Sequence, residues 1–355
     1  MALEEELFTV FARFFNEQPY LAFGLLALAG VVLLRNRNRR AFLLALLVAY
    51  ALTPVLKDFY GVSRPCASVE ACPEGFGFPS QHATLSFLLA AASWGEPVHA
   101  IFLAFALAVG WSRVFLGVHT WDQVAAGFAL GFFLVMFSET LLTHLERRFP
   151  WLRPRERAKP APTRELSHEY EAGRQLIHML FGVFFVLLGA LLPRDEMLLF
   201  LLFFLSFGLL VSTLKSRGLR LPFFDAFLMR FERPGRQPGR GMVMYAGGLL
   251  LLFSFAPSHS FALGIAGILA LGDGLATLIG KKGWTRLPWN HAKTVRGTMA
   301  FFAGGFLASA WFLGPLPALF YSAVLALLES VEWGMDDNLF VPLAGLLVHL
   351  GTGVL

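Results

Sequence analysis

Long apolar runs follow one another along this chain with only short polar breaks, and that succession leaves few folds open to it. A helix that crosses a bilayer needs about 20 mostly apolar residues. Candidate spans lie near 20–34, 41–56, 83–95, 98–112, 123–141, 175–192, 197–212, 241–257, 260–279, 298–313, 316–331 and 339–355. Several are shorter than that, so their helices are expected to extend into polar flanks. No soluble chain of 355 residues needs to be 56% hydrophobic and only 15% charged, which excludes the soluble classes. An alternating strand pattern is absent, which argues against a membrane barrel. The expected fold is an all-α polytopic membrane protein with two helical membrane domains. It has about twelve transmembrane helices and an N-terminal interfacial helix. That last element rests on Leu3 to Asn16, where Glu4, Glu5 and Glu6 precede Leu7-Phe8-Thr9-Val10-Phe11. The segment has no basic leading region and no small-residue cleavage site, so it does not read as a signal peptide.

The net charge of +5 does not point to nucleic acid, because the basic residues gather in loops between spans. One cluster is Arg35 to Arg40, a second runs from Arg147 to Arg164, and a third from Lys215 to Arg240. With all three on the cytoplasmic side of a cell membrane, the spans alternate without contradiction. The partners implied are the bilayer and its lipids, and an oligomer is compatible with the sequence. Residues 146–173 are polar, basic and rich in proline, and they read as a linker between membrane domains at 1–145 and 174–355. No internal repeat relates the two. The two cysteines, Cys66 and Cys72, share a loop on the outer side, where either a disulfide or two free thiols fits the spacing.

Three short segments of the first domain carry phosphate chemistry. They are Lys57 with Arg64-Pro65, Pro79-Ser80-Gln81-His82, and Ser112-Arg113 with His119 and Asp122. Lys57, Arg64 and Arg113 supply the converging cations that a phosphomonoester needs, and Ser80 and helix-start N–H groups add donors. His119 is the candidate nucleophile, forming a phosphohistidine, and His82 the candidate general acid for the leaving group. A carboxylate on the far nitrogen of His119 would fix its tautomer. One such residue alone would read as a snorkelling or interfacial side chain. The ordered set resembles the tripartite signature of the type-2 phosphatidic acid phosphatase superfamily over about residues 50–130. That resemblance implies the same roles for His119 and His82, with no cofactor for this domain. Gln81 replaces the family's usual Gly. Asp122 stands one position before the family's usual Asp, in whose slot Gln123 sits. Because i+3 and i+4 share a helix face, Asp122 is expected to reach His119.

The second domain has a different set. Arg174 and His178 open a span. Gly272-Asp273-Gly274 with Gly280, then Lys293-Thr294 with Gly297-Thr298, follow, and Glu329 and Asp336-Asp337-Asn338 close the series. Glycine turns and a Lys-Thr pair before a helix can cradle a polyphosphate, and Asp273 and Asp337 can hold Mg²⁺. Glu329 lies at the end of a span, where a carboxylate is costly and so a functional suspect. The P-loop spacing is absent. Taken singly, these residues read as helix-packing glycines and a solvated acidic loop. In order, they resemble the CTP-dependent polyprenol kinase family over about residues 170–345. That resemblance implies CTP as phosphate donor, Mg²⁺ as cofactor, and nucleotide or kinase roles for Arg174, His178, Asp273, Gly280, Lys293, Thr294, Gly297, Thr298, Glu329 and Asn338.

The expected function is a bifunctional lipid enzyme. An extracytoplasmic site dephosphorylates a lipid phosphate or diphosphate, and a cytoplasmic site phosphorylates a polyprenol-type alcohol. Three alternatives stand beside it: a CDP-lipid-forming second domain, an inactive second domain, and a lipid transporter or scramblase carrying degenerate enzyme motifs. The terminal signature of the cytidylyltransferases is absent, which favours phosphate transfer over CMP transfer.

Overall fold

The computed structural model describes residues 2–66, 72–153, 168–222, 224–225, 237–281 and 285–354. Most of the expected linker, residues 154–167, lies outside them. The chain forms two compact units, residues 1–159 with 202–219, and residues 160–201 with 220–355.

In the first unit, α1 (Ala2–Glu17) and α2 (Pro19–Leu33) precede a bundle of α3 (Asn36–Tyr60), α4 (Gln81–Ala92), α5 (His99–Phe115) and α6 (Trp121–Arg148). The centre is α4, where every residue from Ala83 to Ala92 is buried. It can lie against α6 because Gly127 and Gly131 face its backbone. A Cβ at Gly127 would stand 2.5 Å from the Ser80 carbonyl oxygen, and one at Gly131 2.6 Å from that of Thr84. Small residues at this spacing allow such an approach where lipid offers no hydrophobic drive. The same contact sets the Ser80 turn on the start of α6, where its N–H donates to the Gln123 carbonyl at 2.9 Å.

The ends of four helices meet here. Lys57 is in the last turn of α3 and Arg113 in the last turn of α5, while His82 and Gln123 are in the first turns of α4 and α6. The basic residues Arg35 to Arg40 and Arg147-Arg148 sit at the other ends of α3 and α6, which Arg40 and Glu146 tie together at 2.9 Å. Cys66 and Cys72 form a disulfide in the loop between α3 and α4. The turn after α4 is closed by residues from the later segment of the unit. Trp94 Nε1 donates to Ser212 Oγ at 2.8 Å, and the Gly95 N–H donates to Thr213 Oγ1 at 3.1 Å. The N-terminal helix α1 packs its phenylalanines on α5. Phe11 meets Phe105 at 6.1 Å and Phe8 meets Phe115 at 5.3 Å, both edge-on.

The second unit contains α7 (His168–Leu191), the start of α8 (Arg194–Ser216), α9 (Arg240–Phe255) and α10 (His259–Gly267). A π-helical stretch, Ile268–Asp273, continues α10 into α11 (Gly274–Gly280). A hairpin of β1 (Arg286–Leu287) and β2 (Asn290–Thr294) then leads into α12 (Val295–Leu313), α13 (Pro315–Glu329) and α14 (Asp337–Thr352). Arg194 donates to the carbonyls of Phe253, Ser254 and Ala256 at 2.9, 3.0 and 3.0 Å. It thereby satisfies the end of α9, whose last carbonyls have no helical partner.

Among the described residues, five helices are long and apolar enough to cross a membrane: α3, α6, Ala172–Leu191 of α7, α8 and His259–Gly280. Leu21–Leu33, α5, α9 and α13 are apolar but shorter. With 259–280 taken as one helix, twelve helices follow α1 among the described residues. The chain is an all-α polytopic membrane protein, with the short hairpin as its strand element.

Candidate functional site

The first-unit constellation is centred on His119, in the turn between α5 and α6. Arg64 Nη1 lies 3.0 Å from His119 Nε2, and Gln123 Oε1 lies 2.9 Å from His119 Nδ1. A guanidinium can only donate, so Nε2 presents its lone pair and Nδ1 carries the proton given to Gln123. Burial, then the charge of Arg64, push the imidazole down to about 3, so it is neutral near pH 7. A neutral ring with a fixed Nε2 lone pair is the form a nucleophile requires.

Gln123 is held on both sides. Its Nε2 donates to the Ser63 carbonyl at 3.0 Å, and its Oε1 also accepts from the Thr120 N–H at 3.4 Å. Gly77 leaves room for it, since a Cβ there would stand 2.5 Å from Gln123 Oε1. Asp122, expected beside His119, instead accepts from the Thr120 hydroxyl. The i+4 position on α6 reaches the ring and the i+3 position turns back to the cap. The sequence signal for this was Gln123 standing in the family's usual slot.

Around this pair, Lys57 Nζ donates to the Phe76 carbonyl at 2.8 Å, and Arg64 donates to the carbonyls of Gly75 and Val118 at 3.2 and 3.3 Å. Arg113 is fully buried. Its Nε donates to Ser112 Oγ at 3.1 Å and its Nη2 to the Ala12 carbonyl at 2.5 Å. Arg113 Nη1 and Ser80 Oγ are buried without a hydrogen-bond partner. His82 Nε2 donates to the Phe15 carbonyl at 2.8 Å. The structure thus brings together His119, Arg64 and Gln123, and holds His82 and Arg113 against α1.

Alanine at Gln123 is expected to cost phosphatase turnover on the order of 100-fold. This is below the roughly 10⁴ lost when a triad carboxylate is neutralised, because an amide orients the ring without adding charge. Asp122→Ala should leave turnover within about threefold, since surface positions away from the reacting groups carry little energy. Phosphate release from the two purified variants checks this order, and the reverse order would return the role to Asp122.

In the second unit, three carboxylates converge. Ligand oxygens of Asp273, Glu329 and Asp337 lie within 4.8 Å of one another. Each comes from a special place in the backbone: Asp273 from the π-helical stretch, Glu329 from the last residue of α13, Asp337 from the first of α14. Oxygen-only donors at this separation fit a hard divalent cation such as Mg²⁺. Lys293 Nζ lies 2.5 Å from Glu329 Oε1, and His178 Nε2 lies 3.4 Å from Asp273 Oδ2. Arg174 is one helical turn before His178 on α7.

Other expected residues have structural partners. Thr294 caps α12, accepting from the Gly297 N–H at 3.1 Å and donating to the Gly280 carbonyl at 3.0 Å. Gly280 and Gly297 permit close contact between α11 and α12, a Cβ at Gly280 falling 3.1 Å from Gly297 Cα. Thr298 Oγ1 donates back to the Thr294 carbonyl at 3.3 Å, and Asn338 Nδ2 donates to Asp336 Oδ1 at 3.0 Å. The Thr-Gly series packs α12 against α11 just after Lys293, and its hydroxyls make hydrogen bonds to backbone groups. One residue carried no motif: Tyr245, a buried phenol whose hydroxyl has no hydrogen-bond partner, meets His178 edge-on at 5.1 Å.

The PAP2 superfamily matches residues 40–145, the segment that builds the His119 site. A protein of Methanocaldococcus jannaschii described as uncharacterised is 30% identical over 175 residues, covering 48% of this chain and 88% of its own. "Probable phytol kinase 2, chloroplastic" of Oryza sativa subsp. japonica is 28% identical over 200 residues, 51% of this chain and 66% of its own. "Phytol kinase 1, chloroplastic" of Arabidopsis thaliana is 29% identical over 198 residues, 49% of this chain and 64% of its own. The chain thus spans about two thirds of the length of these plant proteins. No solved structure matches. The chain belongs to the same family as the archaeal protein, carries a PAP2 superfamily domain at residues 40–145, and over its later part is homologous to proteins named phytol kinase.

Proposed function

We propose that this protein is a bifunctional lipid enzyme: a phosphohistidine-forming lipid phosphatase joined to a CTP-dependent kinase of a prenyl alcohol. The observation that carries the first half is the Arg64–His119–Gln123 array inside the PAP2 domain. His119 Nε2 attacks phosphorus, forming the N–P bond as the P–O bond to the lipid breaks. Lys57, Arg64, Arg113 and Ser80 hold the non-bridging oxygens, and Gln123 keeps the Nδ1 proton in place. His82, acting as the imidazolium once the bound phosphate dianion offsets its burial and the neighbouring cations, gives its Nε2 proton to the leaving lipid oxygen. The neutral ring then takes a proton from the water that cleaves the N–P bond and releases phosphate.

In the second half, Asp273, Glu329 and Asp337 would hold Mg²⁺, which supplies charge neutralisation for the CTP phosphates. Arg174 and Lys293 add positive charge for those phosphates, and His178 is placed to accept the proton of the alcohol. The names of the plant relatives favour a prenyl alcohol as acceptor.

Charge placement supports an extracytoplasmic phosphatase site and a cytoplasmic kinase site. In the first unit Arg35 to Arg40 and Arg147-Arg148 occupy the helix ends away from His119. In the second, Lys281, Arg286, Lys293 and Arg296 follow α11 at the same helix ends as the carboxylates. CTP labelled at the γ or the α phosphate, offered with phytol, polyprenols, diacylglycerol or phosphatidate, tests the kinase half. Transfer of γ label to a prenyl alcohol is expected. Transfer of α label to a lipid would replace the kinase by a cytidylyltransferase.

A further inference from the structure

The phosphatase site has a second set of partners that its chemistry does not call for. Two backbone carbonyls of α1 accept from two of its motif residues, Ala12 from Arg113 at 2.5 Å and Phe15 from His82 at 2.8 Å. Phe15 is in the last turn of α1, and the residue four further on, Pro19, has no N–H to give it, so its oxygen is a free acceptor of the kind His82 needs. Phe11, Phe14 and Phe15 pack with Phe105, Val109 and Ala22 to hold the helix down. Nη1 of the Arg113 that α1 caps is buried and unpartnered, as is Ser80 Oγ.

The arrangement imitates a bound substrate. The Ala12 carbonyl takes a guanidinium proton that a phosphate oxygen would take. The Phe15 carbonyl takes the His82 proton that a leaving oxygen would take. A neutral carbonyl is a weaker acceptor than a phosphate dianion, whose charge-assisted hydrogen bonds are about twice as strong. A phosphate would also satisfy the two orphaned donors, each of which is costly to bury unpaired.

We propose that α1 is a lid that closes the phosphatase site by borrowing its donors, and that a phosphate group opens it by competing for Arg113 and His82. The inference rests on the phosphatase reading only in assigning those two residues to phosphate. Closure keeps a cationic site covered until a substrate with the right headgroup arrives.

Two measurements on the full chain test it, one of which needs no turnover. Phe15→Cys places a thiol at a side chain only 4% exposed, while the native cysteines are disulfide-bonded and silent. Its labelling by a maleimide is expected to quicken several-fold in inorganic phosphate, with no change in inorganic sulfate-free buffer of matched ionic strength. Separately, Phe11→Cys with Phe105→Cys, bridged by a bis-maleimide, locks α1 to α5. Bridging is expected to cut phosphate release from a short-chain lipid phosphate by about tenfold or more, because it removes the open population. Each single variant treated with the same reagent should keep its turnover. Labelling indifferent to phosphate, or a bridged protein as active as the unbridged, overturns the lid. Labelling that responds to phosphate in a protein releasing none from any lipid phosphate upholds the lid and overturns the phosphatase reading.

Discussion

His119→Ala is expected to lower lipid phosphate hydrolysis on the order of 10⁴-fold or more, the scale of losing a covalent nucleophile, while CTP-dependent phosphorylation by the same chain persists. The residue is buried, and Arg64 on Nε2 and Gln123 on Nδ1 hold its ring with the Nε2 lone pair facing the cations. Acid-labile labelling of the wild type by a ³²P lipid phosphate should vanish in the variant. A labelled His119→Ala protein would show that another group attacks phosphorus. Replacing the amide partner by a carboxylate gives the companion test. With Gln123 the ring sits near a pKa of about 3, lowered first by burial and then by Arg64. In Gln123→Glu a carboxylate stabilises the imidazolium and raises that value. The ring is then protonated, and no longer nucleophilic, at higher pH. The acid limb of the pH–rate profile should therefore move up. A limb that stays in place or moves down would mean that His119 does not set it.

What could be read from residues alone was the chemistry carried by order and spacing. The apolar succession is enough for a helical membrane fold, and the ordered Lys57-Arg64, Ser80-His82 and Arg113-His119 set marks the segment that the PAP2 superfamily matches. Partners fixed by one residue of helical rotation were harder. Asp122 and Gln123 are both acceptors on one face, and only the cap geometry of Thr120 decides which turns to the ring. The role of α1 was invisible for a different reason. Its contacts to Arg113 and His82 run through peptide carbonyls, which every residue has, so no side-chain pattern announces them. Thr294 and Gly297 supply a capping hydroxyl and a crossing glycine, and a phosphate cradle uses the same groups, so sequence alone does not separate the two uses. Glu329 was the opposite case. The cost of a carboxylate at the end of an apolar helix gave it away, and it stands with Asp273 and Asp337. Tyr245 carried no signal, since a phenol within an apolar helix reads as core.

The converse substitution, Asp273→Ala, is expected to remove kinase turnover by about 10³-fold, or roughly 4 kcal/mol of transition-state stabilisation, and to spare phosphate hydrolysis. The reason is positional as well as electrostatic. Three carboxylates within 4.8 Å repel one another, and the single charge of Lys293, which touches Glu329 and also acts on Asp337, is too little to balance all three. A cation among the three would relieve that repulsion, and the π-helical stretch that ends at Asp273 is the kind of irregularity often found at functional sites. Asp273 also lies 3.4 Å from His178 Nε2, so its loss removes the partner of the base proposed for the alcohol. Lys293→Ala should behave differently. It strips Glu329 of its counter-charge but keeps all three carboxylates, so Mn²⁺ binding, followed by its paramagnetic signal, should survive while the affinity for CTP falls. Asp273→Ala should lose both. If Mn²⁺ binding is equal in wild type and Asp273→Ala, the carboxylates hold no catalytic cation, and their role reduces to an ion-pair network around Lys293.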